Sequence, residues 1–246
     1  MSDTVGEFSI ENKSYEFTEE QLKKRTASFY NRFIKRLLGL VIAIILFLIL
    51  LPVLLIIALA IIVDSGTPIL YKADRGGYGG KTFQIYKFRT MIKDADKIGG
   101  GTTALNDSRI TKIGHFLRKI KLDEVPQLIN IIKGEMSFVG PRPELLRYTS
   151  QYDDIEKYIS KVRPGITDFS SIEFINLDEI VGGDNADEMY EKYVLKRKNL
   201  LRIKYVATIS FAVDCKLFYM TVIRTIQKAI KIIFKVGDRN GKNLVK

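Results

Sequence analysis

Asp123 and Glu124 stand side by side in KLDEVPQLIN, just ahead of Val125 and Pro126, in a chain with 39 Lys and Arg against 28 Asp and Glu. Two carboxylates meeting at a helix start can converge on one hard cation such as Mg²⁺, which takes carboxylate oxygens and keeps waters for a phosphate substrate. A carboxylate can also act as a nucleophile and form an acyl phosphate. The amides of a helix start favour a bound anion. Lys87 and Arg89 in KFRTM, with Arg118, Lys119, Lys121 and Arg142, add cations. These residue types suit phosphoryl chemistry, which depends on positioning and charge neutralisation. The structural reading is commoner for such residues: Asp123 as a helix cap and Glu124 as a first-turn acid.

Other chemistries are narrower. With one histidine, His115, and one cysteine, Cys215, the usual zinc sets of several such ligands are excluded, as is an internal disulfide. His115 lies in KIGHFLRKI beside Phe116 and reads as a structural or solvent-edge residue. A formal charge of +11 suits a polyanionic partner: nucleic acid, phosphorylated substrates or an anionic membrane face. A merely solvated basic surface has the same charge.

The carboxylate pair must be positioned against a membrane segment. Leu37 to Val63 contains no charge. As straight helix it is roughly 40 Å long, enough for a hydrocarbon core of about 30 Å. Pro52 interrupts it, lacking an amide hydrogen and clashing with the carbonyl of Leu48, so a kink is expected there. By itself the segment fits a kinked transmembrane helix. The flanks are basic on both sides, Arg25, Arg32, Lys35 and Arg36 before and Lys72, Arg75 and Lys81 after; that symmetry fits a hairpin returning to the side it came from.

After this segment, TPILYKADRGGYGGKTFQIYKFRTM reads as a β-hairpin, with Phe83 and Ile85 alternating on the return and GGYGG as the turn rather than a phosphate loop. A polar loop, 92–111, precedes a helix that Asp107 or Ser108 can cap, with Ile110, Ile113, Phe116, Leu117 and Ile120 at helical spacing. A second helix, capped by Asp123, carries Val125, Leu128, Ile129 and Ile132 on its buried face and ends at Gly134. GEMSFVGPRPE is then a loop. Glu144–Lys161 and Asp187–Lys204 have helical spacing, and VRPGITDFSSIEF between them reads as a turn followed by a strand. Towards the end, Arg224, Lys228, Lys231 and Lys235 share one helix face, with Val222, Ile226, Ile230, Ile233 and Phe234 mostly elsewhere; such a helix either lies in a headgroup layer or packs on the core.

KFRTM, LRKIKLDEVPQLINIIKGEMSFVGPRPE and RPGIT, in this order after a proline-broken apolar segment, resemble the bacterial sugar transferases, the monotopic polyprenyl-phosphate phosphoglycosyl transferases, over roughly Phe29 to Met220. The resemblance implies transfer of a sugar-1-phosphate from a UDP-sugar to undecaprenyl phosphate, releasing UMP and initiating a bacterial surface polysaccharide or glycoconjugate. It implies that Asp123 is the nucleophile of a covalent phosphosugar intermediate and that Glu124 helps hold Mg²⁺. It puts Pro141, Arg142 and Pro143 at the nucleotide-sugar site and Lys87, Arg89 and Arg118 on phosphate oxygens. It makes the apolar segment a re-entrant helix broken at Pro52, on the cytoplasmic face of the inner membrane. The basic excess then serves anionic lipids as further partners. The sequence offers no recognised nucleic-acid fold, so no nucleic acid is expected, and a homo-oligomer is left open.

The expected fold class is therefore α+β: a mostly helical cytosolic domain with a small β-hairpin, anchored by the re-entrant helix and by interfacial amphipathic helices. Its parts are a polar tail (1–28), the membrane helix (29–66), the catalytic domain (67–202) and an amphipathic region (203–246). Two departures stand out: Leu51 where many members have serine before the proline, and Asp168 where many have the glycine of PGITG, which points to a different donor-sugar subgroup. The runner-up is a membrane-bound nucleotide-sugar hydrolase with water as acceptor; a basic scaffold without catalysis is the non-enzyme alternative.

Overall fold

The computed structural model describes residues 17–98, 107–152, 155–175, 177 and 186–241. Most of the predicted N-terminal tail lies outside them. In chain order the elements are α1 (Glu19–Thr26), α2 (Lys35–Ser65), β1 (Leu70–Gly76), β2 (Thr82–Phe88), α3 (Ala95–Ile98), α4 (Lys112–Lys119), α5 (Gln127–Lys133), β3 (Ser137–Val139), α6 (Leu146–Thr149), β4 (Gly165–Thr167), α7 (Phe169–Glu173), α8 (Ala186–Met189), α9 (Lys196–Thr208) and α10 (Phe211–Gly241). The described chain is thus mostly helical. The hairpin is present, pairing β1 and β2 antiparallel from Leu70↔Phe88 to Gly76↔Thr82. A second small sheet pairs β3 with β4 in parallel.

α2 is the long apolar element, a helix long and apolar enough to cross a membrane. Helical structure runs through Pro52 without interruption. One stripe packs inward. Lys35, Gly39, Ala43, Ile57 and Ile61 are buried, and Leu46, Phe47, Leu50 and Leu54 complete the row. This is the three-to-four-residue spacing of a single helix face. The first half of the row meets Phe83 and Ile85 of β2 and Leu128 and Ile131 of α5. The second half meets Phe88 and Leu117. Leu37, Val41, Ile45, Leu48, Ile49, Ile56, Leu59 and Val63 face outward, uncovered, and Pro52 is on this outer side.

Polar bonds fix both ends of α2 to the same body. At its start Lys35 Nζ binds Asp214 Oδ2 at 2.7 Å. Arg36 donates to the carbonyls of Ile131 and Ile132, the last turn of α5. At its end Arg89 Nη2 donates to Ser65 O at 2.6 Å and Gly66 O at 2.7 Å. Asp64 Oδ2 accepts from Ile113 N at 3.2 Å. Asp214 also accepts from Tyr30 and Tyr205, both at 2.6 Å.

The helices differ from expectation in their starts. α4 is capped by Thr111, whose side chain accepts from Gly114 N, rather than by Asp107 or Ser108. The Met91↔Ile110 bridge holds the preceding segment extended, and Asp107 is taken up by Arg109. Phe116, expected inside, is 57% exposed, and Leu117 and Gly114 make the contact face. A Cβ on Gly114 would lie 2.1 Å from the Thr90 carbonyl oxygen, so only glycine lets α4 approach the end of β2. α5 ends at Gly134 as expected, in the left-handed region at φ 84°. FSSIE, read as strand, is the helix α7 instead, because Asp168 caps it through Ser171 N; the strand is the GIT before it. The boundary drawn after Arg202 falls inside α9, whose Ile203, Tyr205 and Val206 are core residues packed with Leu22 of α1, Val139 and Leu217.

α10 carries an uncovered apolar row, Phe211, Phe218, Tyr219, Val222, Ile226 and Ile230. Of its predicted basic face, Arg224 folds back to the carbonyl of Ile172 at 3.3 Å. The side chains of Lys228, Lys231 and Lys235, with Ile233 and Phe234, lie outside the described residues.

Candidate active site

The carboxylate pair sits where α4 gives way to α5. Lys121 takes a left-handed backbone, φ 62° and ψ 19°, a conformation uncommon for a residue with a side chain. It turns the chain out of α4 into a single 3₁₀ turn, Leu122–Glu124. Asp123 is therefore not a helix cap: α5 begins behind Pro126, with no side-chain cap. Asp123 is 7% exposed. Its Oδ1 is buried and meets no hydrogen-bond donor among the described residues. Its neighbour has one oxygen engaged by two cations. Glu124 Oε1 accepts from Lys87 Nζ at 2.9 Å and from the guanidinium of Arg142.

Three elements aim these cations. Lys87 is on β2, held against α5 through Asn130, which accepts from Tyr86 N at 3.0 Å and donates to Gln84 O at 2.7 Å. Arg142 follows β3 on the Pro141–Pro143 loop. Its Nη1 donates to Ile166 O at 2.7 Å and its amide to Asp168 Oδ2 at 3.2 Å. Asp168 is fully buried, and its other oxygen accepts from Ser170 Oγ, Ser171 N and Ser171 Oγ, each at 2.7 Å. Arg118 comes from α4 and binds Thr90 Oγ1 at 2.9 Å.

The electrostatics separate the two acids. Burial pushes the Asp123 carboxyl up, and the charge of Glu124 pushes it further; Lys87, Lys121 and Arg118 pull against this, and it ends raised. Burial also opposes charge on Glu124, but Arg142, Lys87 and Lys121 overcome it and hold Glu124 well below the usual carboxylate range. One acid is locked as an anion; the other, equally buried, keeps an oxygen free for something else. Paired acids driven apart in this way are a mark of functional sites.

Of the residues singled out in the sequence, the structure brings Asp123, Glu124, Lys87 and Arg142 into one cluster, with Arg118 exerting its field on Asp123. Arg89 is directed elsewhere, to the end of α2, although its Nε and Nη1 are buried without partners among the described residues. Pro141, Arg142 and Pro143 line a cavity of about 380 Å³ beside the hairpin turn, with Gly77, Thr82, Tyr152 and Lys157 on its other walls; Asp123 does not line it. Pro52 is remote, on the outer face of α2. His115 is exposed, as is Cys215. Sequence reasoning missed Asp168 as the brace of the Arg142 loop, although Asp three residues before Ser171 is a capping signal. It also missed Gln127 and Asn130, two amides one turn apart in an otherwise apolar helix, both fully buried.

Among the described residues no group of three or more His, Cys, Asp or Glu gathers to hold a metal. A Mg²⁺ site does not need one, since one or two carboxylates with waters and substrate phosphates suffice. The free Oδ1 of Asp123 beside Glu124 fits that smaller requirement.

The family described as bacterial sugar transferase matches residues 30–228. The chain is 36% identical over 198 residues to the UDP-glucose:undecaprenyl-phosphate glucose-1-phosphate transferase of Escherichia coli, covering 79% of this chain and 40% of that protein. It is 34% identical over 189 residues to the uncharacterized sugar transferase EpsL of Bacillus subtilis, covering 77% of this chain and 85% of EpsL. A putative undecaprenyl-phosphate N-acetylgalactosaminyl 1-phosphate transferase of the same organism is 38% identical over 148 residues, 58% of this chain and 82% of that protein. The chain spans about two fifths of the Escherichia coli relative and most of the two from Bacillus.

Proposed function

The chain belongs to the bacterial sugar transferase family, and from that premise we propose that it transfers a sugar-1-phosphate from a UDP-sugar to undecaprenyl phosphate and releases UMP. The observation that carries this reading is Asp123: a buried carboxylate with an unpartnered oxygen, next to a glutamate already neutralised by Lys87 and Arg142.

In the first step an oxygen of the Asp123 carboxylate attacks the phosphorus that bears the sugar. The bond from that phosphorus to the bridging oxygen breaks, and UMP leaves with the electron pair. The product is an aspartyl acyl-phosphate linked to the sugar. In the second step an oxygen of the lipid phosphate attacks the same phosphorus, and the carboxylate leaves. No proton has to move in either step. Burial and Glu124 raise the basicity of Asp123, which strengthens it as a nucleophile. Lys87, Arg118 and Arg142 face the phosphate charge, and the cavity beyond the Pro141–Pro143 loop has room for the nucleoside end of the donor. Mg²⁺, held by Asp123 and Glu124, would neutralise phosphate oxygens when bound. A soluble donor and a lipid acceptor can use one carboxylate in turn.

The anchor is read as a re-entrant helix at the cytoplasmic face of the inner membrane. Straight, the 31 residues of α2 would run about 46 Å, yet both ends bind the body that carries Lys87, Asp123 and Glu124. A span would draw those charges into the hydrocarbon, which is costly. Pro52 lies on the side away from the body, so a bend that relieves its clash with the Leu48 carbonyl would run towards the body. The uncovered row of α10 supports a second, interfacial contact.

The test is intact mass spectrometry of the purified full chain incubated with UDP-glucose, UDP-galactose, UDP-N-acetylglucosamine or UDP-N-acetylgalactosamine. A hexose-phosphate or N-acetylhexosamine-phosphate adduct, absent in Asp123→Asn, is expected with at least one donor. Turnover by Asp123→Asn would falsify the covalent role. Release of free sugar phosphate without added polyprenyl phosphate would favour the hydrolase.

A further inference from the structure

The most demanding buried group outside the roles assigned above is the amide of Gln127. It is fully buried, and neither Nε2 nor Oε1 has a hydrogen-bond partner among the described residues. A buried amide left without partners is costly, and such groups are rare in native proteins. Asn130, one turn on in the same helix, shows the ordinary arrangement: it accepts from Tyr86 N at 3.0 Å and donates to Gln84 O and Glu135 Oε2, both at 2.7 Å. α5 therefore carries two buried amides, one spent on holding β2 and one held in reserve.

The position of the reserved amide says what it is for. Gln127 follows Glu124 by three residues and Asp123 by four. The i→i+3 bonds Val125 N→Leu122 O and Leu128 N→Val125 O hold the chain between them in tight 3₁₀-type turns. In such 3₁₀ geometry side chains three apart eclipse, so Gln127 aligns with Glu124, and Asp123 is the next residue back along the chain. The nearest other unpartnered side-chain atom along the chain, among the described residues, is Asp123 Oδ1, four residues back. A ligand satisfying both must offer an acceptor to the amide N–H and an electrophile or cation to the carboxylate. An apolar ligand offers neither, and a lone cation leaves the N–H unmet. A phosphoryl group offers both.

We propose that Gln127 contacts the substrate: its Nε2 donates a hydrogen bond to a non-bridging oxygen of the phosphoryl group that Asp123 captures. This deepens the transferase reading and rests on it. As the bond from the Asp123 oxygen to phosphorus forms and the bond to the departing UMP breaks, the non-bridging oxygens stay anionic, and Gln127 stabilises one of them without giving up a proton. Oε1 faces the opposite requirement and accepts from water or from the sugar-phosphate partner's hydroxyls.

The test uses Gln127→Met and Gln127→Leu in the full chain, with whichever of the four UDP-sugars above the wild type turns over. UMP release with undecaprenyl phosphate gives kcat and KM, and thermal unfolding is followed without donor. The expected result is a kcat at least about tenfold lower in both variants, a KM for the donor within about threefold, and an unfolding midpoint equal to or above wild type, since an unpaired polar group has been replaced by an apolar one of similar size. Wild-type kcat in either folded variant overturns the proposal and leaves the transferase reading intact. So does a loss carried by KM alone, or one that tracks a fall in the unfolding midpoint. Failure of both variants to fold assigns Gln127 to the core and overturns it equally. Silence of the wild type with all four donors removes the transferase reading, and this inference with it.

Discussion

Two buried carboxylates in this protein have opposite surroundings. Glu144, just past the Arg142 loop, accepts from Arg202 Nη2 at 2.7 Å and from the hydroxyl of Tyr190. Arg202 is itself buried and bound to Asn199. Burial pushes Glu144 up, but Arg202 and Lys198 pull it down to about 2. Asp123 is also buried, and Lys87, Lys121 and Arg118 act on it only from a distance, Lys87 binding Glu124 instead; it ends raised. Burial alone does not decide what an acid does. The difference lies in whether the cations touch it. A saturated acid holds the fold, and an unsaturated one is available for chemistry.

The largest expected effect tests that division directly. Asp123→Asn should lower transfer by a factor on the order of 10³ or more, with no loss of thermal stability, as judged by UMP release and an unfolding scan. Glu144→Gln should do the reverse, costing about 3–5 kcal/mol because it strands the Arg202 charge, measured by chemical unfolding in detergent. If Glu144→Gln unfolds no more easily than wild type, the contrast fails.

Acid should separate the same two groups. Under the proposed mechanism Asp123 attacks as the anion, so the donor half-reaction should fade as pH falls through its raised value, above the ordinary aspartate pKa of about 3.9. For stability the signs are opposite. A raised acid contributes stability that is present below its unfolded pKa and lost as pH rises through the folded value. A depressed one, Glu144, contributes stability that is present above its unfolded value and lost as pH falls towards about 2. Activity should therefore vanish reversibly while the fold persists. Rapid return to neutral pH should restore the rate, and circular dichroism should show no prior unfolding. A smaller effect is expected at Asp168→Ala. Losing the cap costs about 1 kcal/mol, and freeing the Arg142 amide should lower kcat severalfold, with Lys87 unaffected.

The part of this legible in the sequence was the part carried by local residue types. Asp123, Glu124, Lys87 and Arg142 could be grouped because their chemistry is shared, and the hairpin and α2 because their apolar patterns are strong. Arg89 has the same chemistry but a different target, and only the fold brings Ser65 and Gly66 to it. Asp123 was read as a cap because the left-handed turn at Lys121 leaves no trace in a residue that is not glycine. Five residues of FSSIE are too few for periodicity to separate strand from helix, and the cap at Asp168 decided it. The Glu144–Arg202 pair is 58 residues apart and the Lys35–Asp214 pair 179; no spacing rule reaches so far.

Lys35 and Arg36 secure one end of α2 and Arg89 and Asp64 the other. A single tether would let the reacting carboxylate swing through a range of heights and tilts. Fastening at two points leaves no such swivel. The distance from Asp123 to the greasy surface of α2 is then held by the fold, and under the proposed function an acceptor whose phosphate rides at a fixed depth would meet a nucleophile already at that level.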